Sequence, residues 1–215
     1  KDIQRAILTN LQHREVAIKY DETFGQRPDI LQYENDILEV VKKGATSFHI
    51  SEEHWSNPLL LKPGMTKQQL DNLRTGWDLV TDIDGEDLDY SKITTYFIIE
   101  ALKFHDIENF GVKFSGNRGF HIFIPFHAFP SKINNQETKL LFPEGPKVIA
   151  AYLKNMIKDH LAKKLNVQDP FKLASIDTIL ISNRHLFRSP YSLNEKSGLV
   201  SIPLRPDNIL NFKKE

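Results

Sequence analysis

From Trp77 onward the hydrophobic period switches in a set order, and that order constrains the fold more than any other feature of the chain. Trp77 to Ile83 alternates apolar with polar residues, as a half-buried strand does. Ser91 to Phe104 places Ile93, Phe97, Ile98, Ala101 and Leu102 on one helical face, which predicts a helix capped by Ser91. Gly111–Ser115 and Phe120–Pro125 are strand-like runs around the turn Gly116-Asn117-Arg118-Gly119. Pro143–Leu165 is periodic through Ile149, Leu153, Met156, Ile157 and Leu161 and predicts a long amphipathic helix; residues 173–204 look like short strands and loops. Strand, helix, hairpin, helix, strands is the order of a mixed α/β (α+β) fold.

Before Trp77 the pattern is looser. Residues 2–20 read as one helix through Ile3, Ile7, Leu11 and Ile18, and residues 32–43 as a second, closed by Gly44. Thr46–Ile50 is a short strand candidate, and Thr66 with Gln69 three residues later forms a capping box for a helix to Leu73. There are no internal repeats. The expectation is a single domain over residues 1–215, with a helical and mixed N-terminal module at 1–76 and a motif-bearing core at 77–215.

Composition narrows the function classes. The chain has no cysteine, which excludes disulfides and Cys-ligated metal within it and suits a reducing, cytoplasmic setting, nucleoid-associated if the source is prokaryotic. No run approaches the roughly 20 apolar residues that cross a bilayer, and the first ten residues do not resemble a signal peptide, so no membrane partner is expected. The chain starts without Met and stops at Phe212-Lys213-Lys214-Glu215, so it reads as part of a longer protein with a further domain elsewhere. Lys plus Arg equals Asp plus Glu at 28 each, which argues against a non-specific nucleic-acid coat protein. It leaves room for an enzyme with a local basic groove and a local acidic site. Acids crowd at Asp82, Asp84, Glu86, Asp87 and Asp89, while Ile179–Pro206 carries Arg184, Arg188, Lys196 and Arg205 against Glu195 alone.

Three segments carry chemistry. Asp82 and Asp84, two apart on a strand, project from one face, and their mutual repulsion is relieved by a hard divalent cation. A solvated acidic loop at a strand end is the more ordinary reading of an Asp-x-Asp pair by itself; a calcium-binding EF-hand is not one, since Asp87 and Ile93 stand where that loop needs Gly and Glu. In Ser115-Gly116-Asn117-Arg118-Gly119-Phe120-His121 two glycines bracket a turn whose backbone can approach phosphate, Arg118 supplies a planar cation, and Ser115 and His121 add hydrogen bonds. The strand parities there suggest a register with Ser115 opposite His121. A plain hairpin with an exposed Arg remains the alternative. Asp177, in Ser175-Ile176-Asp177-Thr178, precedes a loop rich in cations and small polar groups, which suits a triphosphate or a nucleic-acid backbone as well as it suits a solvated basic loop.

Together these segments resemble a family. Trp77-Asp78-Leu79-Val80-Thr81-Asp82-Ile83-Asp84, then Ser115–His121, then Ile176-Asp177, then Arg188-Ser189-Pro190-Tyr191-Ser192-Leu193-Asn194-Glu195-Lys196-Ser197-Gly198-Leu199 are similar in order and spacing to the archaeo-eukaryotic primase superfamily. The similarity is greatest to its archaeal small catalytic subunits, and it covers residues 77–204. It implies an RRM-like primase-polymerase core joined to an N-terminal α/β module. It implies a template-directed nucleotidyltransferase in which Asp82, Asp84 and Asp177 are catalytic and bind two Mg²⁺ or Mn²⁺ ions. Ser115, Arg118, Gly119, His121, Arg188, Ser192, Asn194 and Lys196 would bind the NTP or dNTP, and single-stranded DNA would be the template. A large primase subunit or an additional domain would complete the enzyme. A gap-filling polymerase of end-joining repair and a non-catalytic nucleic-acid-binding subunit are the other roles this superfamily suggests. Two departures stand out: Asn194 replaces the usual His, and the Cys-rich zinc knuckle of many replicative small subunits is missing.

Overall fold

The protein is described by a computed structural model covering residues 2–177 and 181–214. The N-terminal helix is shorter than its periodicity suggests: α1 spans Asp2–Leu11, the chain turns at His13 with a left-handed φ of 58°, and Arg14–Tyr20 is strand β1. Glu15, Val16, Ala17 and Ile18 are all buried, and a strand covered on both faces has no alternation by which to tell it from a helix. The chain continues through β2 (Thr23–Phe24), α2 (Glu34–Lys42), β3 (Ala45–Trp55), α3 (Lys67–Leu73), β4 (Arg74–Trp77), β5 (Leu79–Gly85) and α4 (Leu88–Phe104). It then forms β6 (Gly111–Phe114), β7 (Phe120–Ile124), β8 (Lys132–Ile133), β9 (Gln136–Glu137), α5 (Glu144–Leu165), β10 (Ala174–Asp177), β11 (Leu186–Arg188) and β12 (Pro203–Leu204).

Two five-stranded sheets organise these elements. The first runs β11-β3-β1-β2, with β4 also pairing β3; the second runs β10-β5-β7-β6-β12. Strands from both ends of the chain build the first sheet, because β11 pairs antiparallel with β3. The run beginning at Trp77 is therefore broken at Asp78, with β4 ending one sheet and β5 starting the other.

The second sheet has an apolar and a polar face. Leu79 and Ile83 on β5, Phe120, Ile122 and Ile124 on β7, Val112 and Phe114 on β6 and Ile176 on β10 are buried in one core with Ile98, Leu102, Leu153, Ile157 and Leu161 of α4 and α5. A slip of one residue would turn each strand inside out, so this apolar set dictates the register. The cap of α4 is Asp87, whose side chain accepts from the Asp89 N–H at 2.8 Å. Ser91, expected to be the cap, lies buried within the helix and donates to the Asp87 carbonyl. Thr66 does form the expected capping box with Gln69.

Buried ion pairs brace the first sheet and its junction with the second. Arg74, fully buried, donates to Glu53 Oε1 from Nε (2.9 Å) and Nη2 (2.7 Å) and lies over the rings of Trp55 and Phe142. Arg184 grips Glu15 at 2.9 and 2.6 Å, so this member of the expected basic loop is an anchor to β1. Asp78 accepts from Arg14 and from the Phe126 N–H and sits 3.2 Å from His54. Among the described residues no helix is long and apolar enough to cross a membrane.

Candidate active site

The register that buries the apolar face forces a row of polar residues onto the other. In the antiparallel ladders Asp177 pairs with Asp82, Asp82 with His121, and His121 with Lys113. Directly opposed residues share a face, and Asp84 shares it with Asp82 two positions away. Asp82, Asp84, Asp177 and His121 thus come to one wall of a cleft of about 370 Å³. Asp82 keeps 46 % of its side-chain surface. It lies on the cleft floor, where crowding protein solvates charge poorly; that burial pushes its carboxyl up to about 6, with like charge from Asp84 and Asp177 added and Lys113 opposing. Lys113 is buried, and burial drives it down to about 7 against the opposing charge of Asp82, with Arg188 adding to the fall. Its ammonium donates to Ser201 Oγ at 2.8 Å. Burial, then Lys113 and Arg188, push His121 well below the ordinary imidazole range, so it is neutral. Its Nε2 is 3.4 Å from Asp82 Oδ1. Among the described residues no group of three or more His, Asp or Glu side chains is arranged to hold a metal ion as it stands.

The hairpin turn reaches the same cleft with Ser115 and Asn117. Its register differs from the one the parities suggested: Phe114 pairs with Phe120 and Lys113 with His121, while the Ser115 N–H donates to the Gly119 carbonyl. The parity is kept, but the pairing shifts by two residues to place the two phenylalanines together in the core, with ring centroids 5.9 Å apart. Gly116 has φ +99°, and a Cβ there would meet Asn194 Cβ at 2.7 Å. A Cβ on Gly119 would lie 2.3 Å from the Ile83 carbonyl oxygen, so this glycine is required by close backbone approach to the Asp82–Asp84 strand. Arg118 is exposed, and its guanidinium donates to the Glu86 carbonyl at 3.0 Å instead of reaching the cleft wall.

The end of β11 and the loop after it contribute unevenly. Arg188, Asn194, Glu195 and Lys196 line the cleft. The Asn194 side-chain oxygen accepts from the Lys196 N–H at 3.1 Å and shapes the turn that carries Lys196. Ser192 is buried, and its hydroxyl accepts from the Phe48 N–H at 2.8 Å, which pins the loop to β3.

Sequence reasoning missed the wall supplied by the N-terminal module and by β11's approach. Lys19, His49, Glu52 and His185 all line the cleft. Glu52 is 3.1 Å from His185 Nδ1, and burial raises its carboxyl to about 7 despite that contact. No local motif marks these residues; the only signal was the presence of Glu52 and Glu53 in an otherwise strand-like run. They reach the site because β3 pairs with β11.

The fold is similar to that of the polymerase domain of Mycobacterium tuberculosis Ligase D, solved with DNA, at TM-score 0.67 and 15 % identity, over 97 % of this chain and 80 % of that one. Residues 81–206 match the DNA primase small subunit family, and the chain belongs to that family. It is 30 % identical to the DNA primase small subunit of Pyrobaculum calidifontis, over 66 % of this chain and 56 % of that protein. It is 31 % identical to that of Sulfurisphaera tokodaii, over 60 % and 43 %. The chain spans about half the length of the curated relatives it matches.

Proposed function

We propose that this chain is the catalytic core of a DNA primase or primase-polymerase, a nucleotidyltransferase that adds NTPs or dNTPs to a 3′-hydroxyl on a single-stranded DNA template. The observation that carries the reading is the placement of Asp177 opposite Asp82, with Asp84 on the same face, in a cleft whose other wall holds Arg188 and Lys196. Three carboxylates with only oxygen donors, one of them raised by burial and further by the charge of the other two, suit hard divalent cations. Asp82, Asp84 and Asp177 would hold two Mg²⁺ or Mn²⁺ ions, which supply charge neutralisation at the triphosphate and a lowered pKa at the attacking hydroxyl.

The chain's own groups then position the reactants. Lys196 and Arg188 hold phosphate oxygens, Ser115 and the turn backbone approach them, and Arg118 closes over from the rim by releasing the Glu86 carbonyl. His121, neutral and buried, contributes a directional hydrogen bond rather than a charge. Asn194 acts through the Lys196 turn. A large subunit or a further domain completes the enzyme in this reading.

The test is incubation with labelled NTPs or dNTPs on bare and on primed single-stranded templates, with Mg²⁺ and with Mn²⁺. Template-dependent incorporation that Asp84→Ala abolishes is the expected result. Incorporation unaffected by Asp84→Ala would overturn the assignment of the site.

A further inference from the structure

The cleft contains a second charged group that the acidic row does not explain. Register places Lys19 opposite Ser47 on β1 and β3, and His49 opposite Arg188 on β3 and β11. Ser47 and His49 are two apart, so all four side chains share one face of the first sheet. Glu195 fills the space where they converge. Its carboxylate lies 2.8 Å from Arg188 Nη2, 3.4 Å from His49 Nε2 and 3.7 Å from Lys19 Nζ, and it accepts a hydrogen bond from Ser47 Oγ. Its side chain is only 12 % exposed. Burial works to raise this carboxyl, but Arg188 and Ser47 outweigh it and hold it at about 2.

The turn that carries Glu195 does not depend on this contact. Asn194 N–H donates to the Leu199 carbonyl, Gly198 N–H to the Asn194 carbonyl, and Lys196 N–H to the Asn194 side chain. The Glu195 side chain can therefore leave by rotating while its turn stays closed. Lys19, His49, Arg188 and Glu195 line the same cleft as Asp82, Asp84 and Asp177. A phosphate oxyanion, like a carboxylate, is an acceptor-only anion that gains most from charge-assisted donors.

We propose that Lys19, Ser47, His49 and Arg188 form a phosphate subsite that Glu195 closes from within, so that a phosphate must displace the Glu195 carboxylate to bind. The identity of the ligand, a phosphate of an incoming nucleotide or of a nucleic-acid strand, rests on the nucleotide-transfer reading above; the subsite itself is defined by its donors.

The experiment measures affinity for inorganic tripolyphosphate by calorimetry at constant ionic strength, in wild type, Glu195→Gln, Lys19→Met and the double variant. If the closed arrangement holds about nine-tenths of the population, Glu195→Gln tightens binding about ten-fold. Lys19→Met weakens it, and the double variant loses most of the gain. No gain in Glu195→Gln, or a gain kept in full without Lys19, overturns the proposal, since a mere change of net charge needs no particular partner. A structure of the wild type with tripolyphosphate provides a second check that needs no variant to fold. Phosphate on Arg188 and Lys19 with Glu195 swung away is expected; Glu195 still on Arg188 overturns the proposal. Repeating the comparison with dATP and with 5′-phosphorylated and 5′-hydroxyl oligonucleotides assigns the source, and a gain with none of them also overturns it. Tripolyphosphate binding requires no catalysis. A protein that shows the gain yet transfers no nucleotide therefore defeats the functional reading and leaves the subsite standing.

Discussion

Asp177 stands directly across the β10–β5 ladder from Asp82, although α4, the β6–β7 hairpin and α5 all intervene in the chain. Ile176 pairs with Ile83 beside them, so burial of those two isoleucines sets the distance and face of the two carboxylates. The acidic wall is in this sense a by-product of core packing, and its chemistry can be altered without touching the core.

Asp84→Ala is expected to reduce nucleotide transfer on the order of a thousand-fold, the equivalent of about 4 kcal/mol of transition-state stabilisation. The metal-free variant should unfold at the same temperature as wild type or slightly above it, because one member of a like-charged cluster is gone. Single-turnover rates together with thermal melts check both. Near-normal transfer at saturating metal would exclude Asp84 as a ligand.

Arg118→Ala tests the hairpin turn. Arg118 is exposed, and among the described residues its side chain hydrogen-bonds only the Glu86 carbonyl, so stability should change by less than about 0.5 kcal/mol. Loss of a charge-assisted phosphate contact, about 1.5–3 kcal/mol, should weaken NTP binding by roughly ten- to a hundred-fold. Single-stranded DNA affinity should change far less. Equal losses for both ligands would make the turn a general nucleic-acid contact.

Arg74→Ala should behave in the opposite way. Arg74 and Glu53 are fully buried partners, and the guanidinium also packs on Trp55 and Phe142. Removing one member of a buried pair leaves an uncompensated charge and costs about 3–5 kcal/mol. Urea unfolding measures this. A loss below about 1 kcal/mol would mean that the pair is dispensable to the packing of β3 and β4.

Acid stability provides a fourth test. Burial alone would raise the Asp78 carboxyl, but the His54 imidazole 3.2 Å away and the Arg14 guanidinium outweigh it and hold it at about 2, below its ordinary value of 3.8. A depressed carboxylate contributes stability that is present above the unfolded pKa and lost as pH falls through the folded one. Wild type should therefore lose about 2 kcal/mol from this group between about pH 4 and pH 2. Asp78→Asn should be less stable at neutral pH and flatter across that window. Parallel slopes for the two proteins between pH 2 and 5 would show that Asp78 is not the group being titrated.

The sequence by itself determined the elements whose periodicity is strong and local. The α4 and α5 faces, the hairpin around Gly116–Gly119 and the Thr66 capping box are readable because each depends on residues a few positions apart. The Asp82–Asp84 pair was legible for the same reason: two residues apart on a strand is a same-face relationship wherever the strand goes. Tertiary structure alone decided the rest. Arg14–Tyr20 became a strand because β3 covers it, and a buried strand carries no alternation for a sequence to display. Pairing of β11 with β3 brought Lys19 and His49 to the cleft. It also put Glu195 rather than open solvent against Arg188, while Arg184 was drawn away to Glu15. These are long-range ladder and ion-pair choices. They are set by which apolar faces can be buried together, and no window of neighbouring residues contains that information.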